Sequence, residues 1–330
     1  MISSNRIVTY SPAYTLVPTY ECFNRCTYCN FRVDPGQDDW MTVEAATKIL
    51  QSYSSSLVIE ILILSGEVHP QSARRQAWFQ RIAAICEQAL SLGFLPHTNV
   101  GPLSFDEMSQ LKQLNVSMGL MLEQMTPDLL NTVHQYAPSK VPDHRLQQLK
   151  WAGELQIPFT TGLLLGIGET DADWDDTLAA IAHVHSQYGH IQEVILQPHS
   201  PGTHQNQIGE PFPLERLVDV VAIARRHLPE DIRLQIPPNL VTTPPLLLAC
   251  LDAGARDLGG ISPKDEVNPD YPHPHVEALI DILEPEGWTL QPRLPVYPQY
   301  DDWLPPDLQS AVFEWRSRLS SLGLGLVEVD

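Results

Sequence analysis

Short apolar runs rich in β-branched residues alternate along the chain with longer stretches whose apolar positions recur every three to four residues. The first pattern suits buried or half-buried strands and the second amphipathic helices. Eight strands are predicted, over residues 14–19, 57–64, 95–100, 117–122, 159–165, 193–197, 233–236 and 257–261. Helices are predicted between them, over 43–51, 77–92, 105–114, 144–155, 174–188, 214–227 and 245–253. A helix between successive strands is how parallel strands are joined, because the chain must return to the same end of the sheet before the next strand starts. Eight such units predict an α/β fold, a closed (β/α)8 barrel of the TIM type, with its chemistry on the loops after the carboxyl ends of the strands. Helix starts support these boundaries: Thr42 and Ser104 each offer a capping oxygen, and Ser104 with Glu107 makes a full capping box.

From Glu284 the pattern changes to Pro-Glu-Gly-Trp-Thr-Leu-Gln-Pro-Arg-Leu-Pro-Val-Tyr-Pro. Proline at this density predicts no regular structure until a last helix near 307–319. We therefore expect a barrel domain over 1–283 and a proline-rich C-terminal extension, 284–330, packed on it.

Charge narrows the set of partners. Forty acidic against twenty basic residues give a formal charge of −20, which repels nucleic-acid phosphates and anionic membranes. No apolar run approaches the ~18 residues of a bilayer span. Met1-Ile-Ser-Ser-Asn-Arg6 lacks a basic region followed by an apolar stretch, so a cytoplasmic location is expected. Of five cysteines, three fall within eight positions, which suits metal binding better than a disulfide framework.

Those three, Cys22, Cys26 and Cys29, have the spacing C-x3-C-x2-C and directly follow the first predicted strand. Three thiolates on one tight loop can bind three irons of a cubane and leave the fourth open to another ligand. A structural zinc site would need a fourth ligand. The other cysteines, Cys86 and Cys250, sit in apolar helical runs and read as core. A non-catalytic iron-sulfur carrier would ordinarily use four cysteines.

With this loop the chain resembles the radical SAM superfamily, over about its first 265 residues. The resemblance implies a [4Fe-4S] cluster on the triplet and S-adenosyl-L-methionine (SAM) on its open iron, with Tyr28 among the cofactor-binding residues. Ser65-Gly66-Glu67 is similar to the superfamily's Gly-Gly-Glu element, which receives the SAM ammonium, with serine in the first place. A plain turn after a strand explains the same residues. Gly166 and Gly168, in Gly162-Leu-Leu-Leu-Gly-Ile-Gly-Glu169, resemble the fifth-strand element beside the adenine. Arg145 stands where relatives place the partner of the SAM carboxylate, and Glu123 where the ribose hydroxyls are bound. For Arg145 the competing reading is a surface ion pair, and for Glu123 a solvated strand end.

The flanks of the triplet, Glu21-Cys-Phe-Asn-Arg-Cys-Thr-Tyr-Cys-Asn-Phe-Arg32, together with Asp257-Leu-Gly-Gly-Ile-Ser-Pro263, resemble the CofG family of deazaflavin (FO) synthase subunits. That resemblance implies a radical lyase. It would close the deazaflavin ring of an adduct between tyrosine's hydroxybenzyl group and a ribityl-diaminouracil, a small-molecule substrate, releasing ammonia. It also implies a CofH-type enzyme as pathway partner and an external electron donor. The runner-up is a CofH-type or menaquinone-pathway enzyme of the same superfamily. Asn99, Gln197, His199 and Asn239, with His97, fall at predicted strand ends and are expected to line the substrate cavity. Gln197-Pro-His199-Ser departs from the relatives' usual Gln-Asn-Phe. No acid or base is assigned. The histidines of Tyr271-Pro-His-Pro-His275, and His199 with His204, read as proline-rich loop rather than as a second metal site.

Overall fold

A computed structural model describes residues 6–53, 57–205, 209–241 and 243–324. The stretch read above for an export signal lies, up to Asn5, outside the described residues, as does the end of the chain after Leu324. The elements run β1 (Ile7–Leu16), α1 (Val43–Ser52), β2 (Glu60–Leu64), α2 (Arg75–Ser91), β3 (Leu95–Asn99), α3 (Phe105–Lys112), β4 (Ser117–Gly119), α4 (Pro142–Glu154), β5 (Phe159–Leu165), α5 (Asp171–Tyr188), β6 (Ile191–Pro198), α6 (Leu217–His227), β7 (Arg233–Gln235), α7 (Pro244–Asp252), β8 (Asp257–Ile261), α8 (Val276–Leu283), β9 (Thr289–Pro292) and α9 (Pro306–Ser321).

Strands β1 to β8 pair in sequence order, all parallel, and β1 meets both β2 and β8, so the sheet closes into the expected (β/α)8 barrel. Alternation along each strand divides its side chains between two environments. In β2, Ile61 and Ile63 share the outer core with Trp78, Ile82 and Ile85 of α2, whereas Glu60, Leu62 and Leu64 face an interior cavity. Ser104 and Glu107 form the capping box read from the sequence, each side chain bonding the other's backbone N–H. No helix among the described residues is long and apolar enough to cross a membrane.

Two departures from the expected pattern share one cause. The first strand starts at Ile7 rather than 14, and the proline-dense segment contains a further strand, β9. Each is the other's partner: Ile7–Tyr10 pair with Thr289–Pro292, while Ala13–Leu16 pair with β2. Hydrogen bonds to a partner 282 residues away leave no local trace in either sequence. The helix α8 is likewise an addition to the predicted set.

After β9 the chain turns under the barrel. Leu294, Val296, Tyr300 and Leu304, with Leu308, Val312 and Trp315 of α9, bury against Ile59, Leu95 and Val116 at the amino ends of β2, β3 and β4. Arg293, 4% exposed, enters the barrel itself. Its Nε and Nη2 donate to the two carboxylate oxygens of Asp257 at 2.6 and 2.9 Å, and Nη2 also meets Glu193. Thr160 and Tyr297 donate to Glu193 at 2.8 and 3.1 Å. Among the described residues, the tail and this charge cluster thereby close the amino end of the barrel, opposite the cysteine loop.

Arg293→Met should leave two buried carboxylates without their cation and destabilise the protein by about 3 to 5 kcal/mol. Denaturant unfolding measures this; a loss under about 1 kcal/mol, as for a surface pair, would show that the tail is held by its apolar contacts alone.

Candidate active site

Residues 17–42 connect β1 to α1 and carry the cysteine triplet across the open end of the barrel. Buried side chains give this irregular segment one conformation. Glu21, 2% exposed, accepts from Gly36 N at 2.7 Å and Trp40 Nε1 at 2.9 Å and pairs with Arg74 at 2.8 Å. Burial alone would raise the Glu21 pKa, but these donors outweigh it and lower the value. Asn24, 1% exposed, donates to Glu67 and Ser139, each at 2.8 Å, and its Oδ1 accepts from Ser139 N. Backbone bonds from Phe23 to Glu67, Arg25 to Tyr136 and Thr27 to Val133 fasten the loop to the segments after β2 and β4.

The triplet is therefore held from both sides. Cys26 is buried, and Cys22 and Cys29 are partly so. Burial pushes the Cys22 thiol up to about 11, with Glu67 adding to the effect. The Cys26 thiol rises to about 12, again through burial, although the Lys140 ammonium opposes the shift. Among the described residues, no three His, Cys, Asp or Glu side chains converge on a single ion.

A cavity of about 350 Å³ opens below the loop. Its lining includes Tyr28, Cys29, Ser65, Glu67, Glu123 and Arg145. The four residues expected to meet a substrate, Asn99, Gln197, His199 and Asn239, line the same cavity, as does His97. Two of them present buried polar atoms with no partner, His199 Nε2 and Asn239 Oδ1. His273, set aside above as a loop residue, also lines the cavity with an unpartnered Nδ1.

Gly66, Gly166 and Gly168 sit beside the cavity rather than on its wall. Gly66 packs so closely on the cysteine loop that an added Cβ would lie 2.9 Å from the Tyr20 carbonyl oxygen and nearer still to Glu21. The Ser65 hydroxyl is occupied, donating to the Gly66 carbonyl at 2.9 Å and accepting from Trp78 Nε1 at 3.0 Å. Gly166 and Gly168 lie in an exposed turn after β5, with φ of 87° and 116°, values that favour glycine. Glu169 closes that turn by accepting from Gly166 N at 2.6 Å and Ile167 N at 2.8 Å.

Arg145 and Glu123 are not surface groups. Arg145 is 3% exposed and Glu123 6%. Arg145 Nε donates to the Met121 carbonyl at 2.6 Å, its Nη1 and Nη2 lie 3.8 Å from Glu67 and Glu123, and Nη1 makes no hydrogen bond. The sequence reading missed Lys140, whose buried Nζ pairs with Glu123 at 2.5 Å. Burial would raise the Glu123 pKa, but Lys140 and Arg145 outweigh it and lower the value. Burial and Arg145 would lower that of Lys140, yet Glu123 and Cys26 raise it, so both groups stay charged. Tyr28 is partly buried beside them, its hydroxyl 2.8 Å from His134 Nε2, and desolvation of that hydroxyl raises its pKa and keeps the phenol protonated.

A sequence model of the radical SAM superfamily matches residues 16–181, from the end of β1 into α5. The chain is 66% identical over 310 residues to 7,8-didemethyl-8-hydroxy-5-deazariboflavin synthase of Trichormus variabilis, covering 94% of this chain and 91% of that one. It is 64% identical to the same enzyme of Trichodesmium erythraeum, covering 96% and 99%. The chain belongs to the deazariboflavin synthase family of the radical SAM superfamily.

Solved structures agree on the fold of this radical SAM protein. The [FeFe]-hydrogenase maturase HydG of Carboxydothermus hydrogenoformans superposes with a TM-score of 0.73 at 16% identity, covering 97% of this chain and 79% of that one. Methylornithine synthase (PylB) superposes at 0.65 and 14% identity, covering 88% and 85%. At such identities the likeness is one of architecture. No local signal marked Lys140, because it ends the single 3-10 turn Pro138–Lys140, too short to show a period, and meets Glu123 only through the fold.

A carboxyl group whose pKa is lowered by folding adds stability above its unfolded value, near ~4.3 for glutamate, and that stability is lost as pH falls through the folded value. The stability of this radical SAM protein should therefore fall below that pH less steeply in Lys140→Met than in the wild type. Unfolding free energies measured from pH 7 to pH 3 check this; equal slopes would show that Lys140 does not hold Glu123 ionised.

Proposed function

We propose that this chain closes the deazaflavin ring in the synthesis of 7,8-didemethyl-8-hydroxy-5-deazariboflavin (FO). The substrate is the adduct of a hydroxybenzyl group with 5-amino-6-(D-ribitylamino)uracil, supplied by a CofH-type enzyme. The observation that carries the reading is that the cysteine loop, the orphaned guanidinium of Arg145 and the expected substrate residues all face one cavity. The curated relatives' name supplies the product.

The residues present fit a [4Fe-4S] cluster and SAM. Cys22, Cys26 and Cys29 would hold the cluster. Arg145, with Nη1 buried and unpartnered, would take the SAM carboxylate in a charge-assisted bond. Ser65, Gly66 and Glu67 would receive its ammonium, Glu123 its ribose hydroxyls, and Tyr28, Gly166 and Gly168 would border its adenosine. When bound and supplied with an electron from an external donor, these groups supply a 5′-deoxyadenosyl radical, methionine being released.

The chain's own contribution is enclosure and orientation. The sealed barrel floor keeps water from the reacting carbon, which protects a radical from quenching. Lys140 and Arg145 hold Glu123 as an acceptor. His199 Nε2, Asn239 Oδ1 and His273 Nδ1 are free to orient the adduct. Relative to FO and ammonia the adduct carries two further hydrogens: one would leave as an atom to the radical that the bound groups supply, and after cyclisation onto the phenol ring and loss of ammonia the other would leave as a proton and an electron, the electron returning to the oxidised cluster. The formal class is lyase.

With reductant, SAM, tyrosine and the diaminouracil, fluorescent FO is expected only when a CofH-type enzyme is added. Anaerobically reconstituted protein should hold about four irons per chain, and Cys26→Ala should lose both iron and product. Consumption of tyrosine by this chain alone would assign it to the adduct-forming step instead. Arg145→Ala should retain iron but bind SAM more weakly by about 1.5 to 3 kcal/mol; unchanged affinity in a titration would remove Arg145 from the SAM site.

A further inference from the structure

The sealed end of the cavity carries polar groups that the chemistry at the cysteine loop does not use. Barrel interiors of this type are ordinarily filled by branched apolar side chains. Here the lining near the floor includes Glu60, His97, Thr160, Glu193, Gln235 and Arg293. Glu60 opens β2, four residues before Leu64, so it lies about 13 Å down the strand from the carboxyl end. The cavity reaches it past Gly260, which lines the wall without a side chain. A Cβ at Gly119 would come within 2.9 Å of His97 Nε2.

Two of these groups are open to a ligand. Glu60 is 7% exposed and lines the cavity, yet its carboxylate makes no hydrogen bond among the described residues. His97, also 7% exposed, uses Nδ1 on Ser117 Oγ at 2.7 Å, leaving Nε2 without a bond. Burial lowers the His97 pKa, so the ring is neutral and adds no positive charge to the floor. Arg293 is already taken by Asp257 and Glu193. The floor is thus rich in acceptors and carries a surplus carboxylate. A phosphate or carboxylate would be repelled there. Hydroxyl groups would be bound, since each can donate to Glu60 or to His97 Nε2, an acceptor because Ser117 gives its own proton to the Pro295 carbonyl, and can accept from Gln235.

Resting on the function proposed above, the geometry points to the floor around Glu60 and His97 as the subsite for the substrate's polyhydroxylated arm. It selects the unphosphorylated ribityl chain and leaves the ring system in the upper cavity. Polar floor and upper cavity divide the substrate as its chemistry is divided, with the polyol on fixed acceptors and the reacting rings beneath the cysteine loop.

The test uses the full chain, reconstituted anaerobically, titrated with FO by fluorescence anisotropy. It is compared with an FO analogue whose ribityl arm is replaced by ethyl, and with the 5′-phosphate ester of FO. Glu60→Ala should weaken FO binding about tenfold or more, the scale of a bond to a charged acceptor, and leave the ethyl analogue within about twofold. The wild type should bind the phosphate ester at least about tenfold more weakly than FO, and Glu60→Gln should recover part of that loss. The phosphate comparison in the wild type requires no variant, and circular dichroism checks that each variant folds. Equal losses for FO and the ethyl analogue, or a phosphate ester bound as tightly as FO, would overturn the subsite. If the wild type makes FO while either of these holds, only the subsite falls; if it neither makes nor binds FO, the proposed function falls with it.

Discussion

Inside the barrel the Arg293 guanidinium bridges Asp257 of β8 and Glu193 of β6, and through this bridge the C-terminal segment closes the end opposite the cysteine loop. A buried charge cluster of this kind is tolerated only when each member is paired. Arg293 meets the requirement with two carboxylates, Thr9 donates also to Asp257 and Tyr297 also to Glu193, and Thr160 donates to the Glu193 oxygen that Arg293 leaves free. The tail's apolar side chains then cover the amino ends of β2 to β4.

The open mouth is organised by a second set of buried charges. Glu67, Glu123, Lys140 and Arg145 come from the segments after β2 and β4 and from the start of α4. Lys140 is taken by Glu123, whereas Arg145 stands 3.8 Å from both carboxylates with Nη1 unbonded. A guanidinium held in place with Nη1 unbonded keeps donor capacity for a further acceptor. The cysteine loop is fastened to the same frame through Asn24 and Glu67, so its position and that of the charges are coupled.

Between the two ends the cavity changes character, from unpartnered loop nitrogens and oxygens at the top to a fixed acidic floor. Radical chemistry needs this combination of depth and order, because a reactive carbon must be positioned and kept from solvent at once. Membership of the deazariboflavin synthase family gives the cavity its context.

The sequence by itself determined the (β/α)8 class, because strand and helix periodicities are written locally and the order of units dictates parallel pairing. It also marked the cysteine triplet, whose members lie on one loop. It placed Arg145, Glu123 and the four strand-end residues by position along the chain, and their meeting at one cavity follows from the barrel. Only the tertiary structure decided what depends on distant partners. The lower half of β1 and all of β9 exist because each bonds the other. Lys140 acquires its place through Glu123, and Arg293, inside a proline-rich segment, through Asp257 and Glu193. A lysine or arginine outside a regular element carries no periodic signal, and its cost of burial is met only when closure of the barrel brings a carboxylate to it.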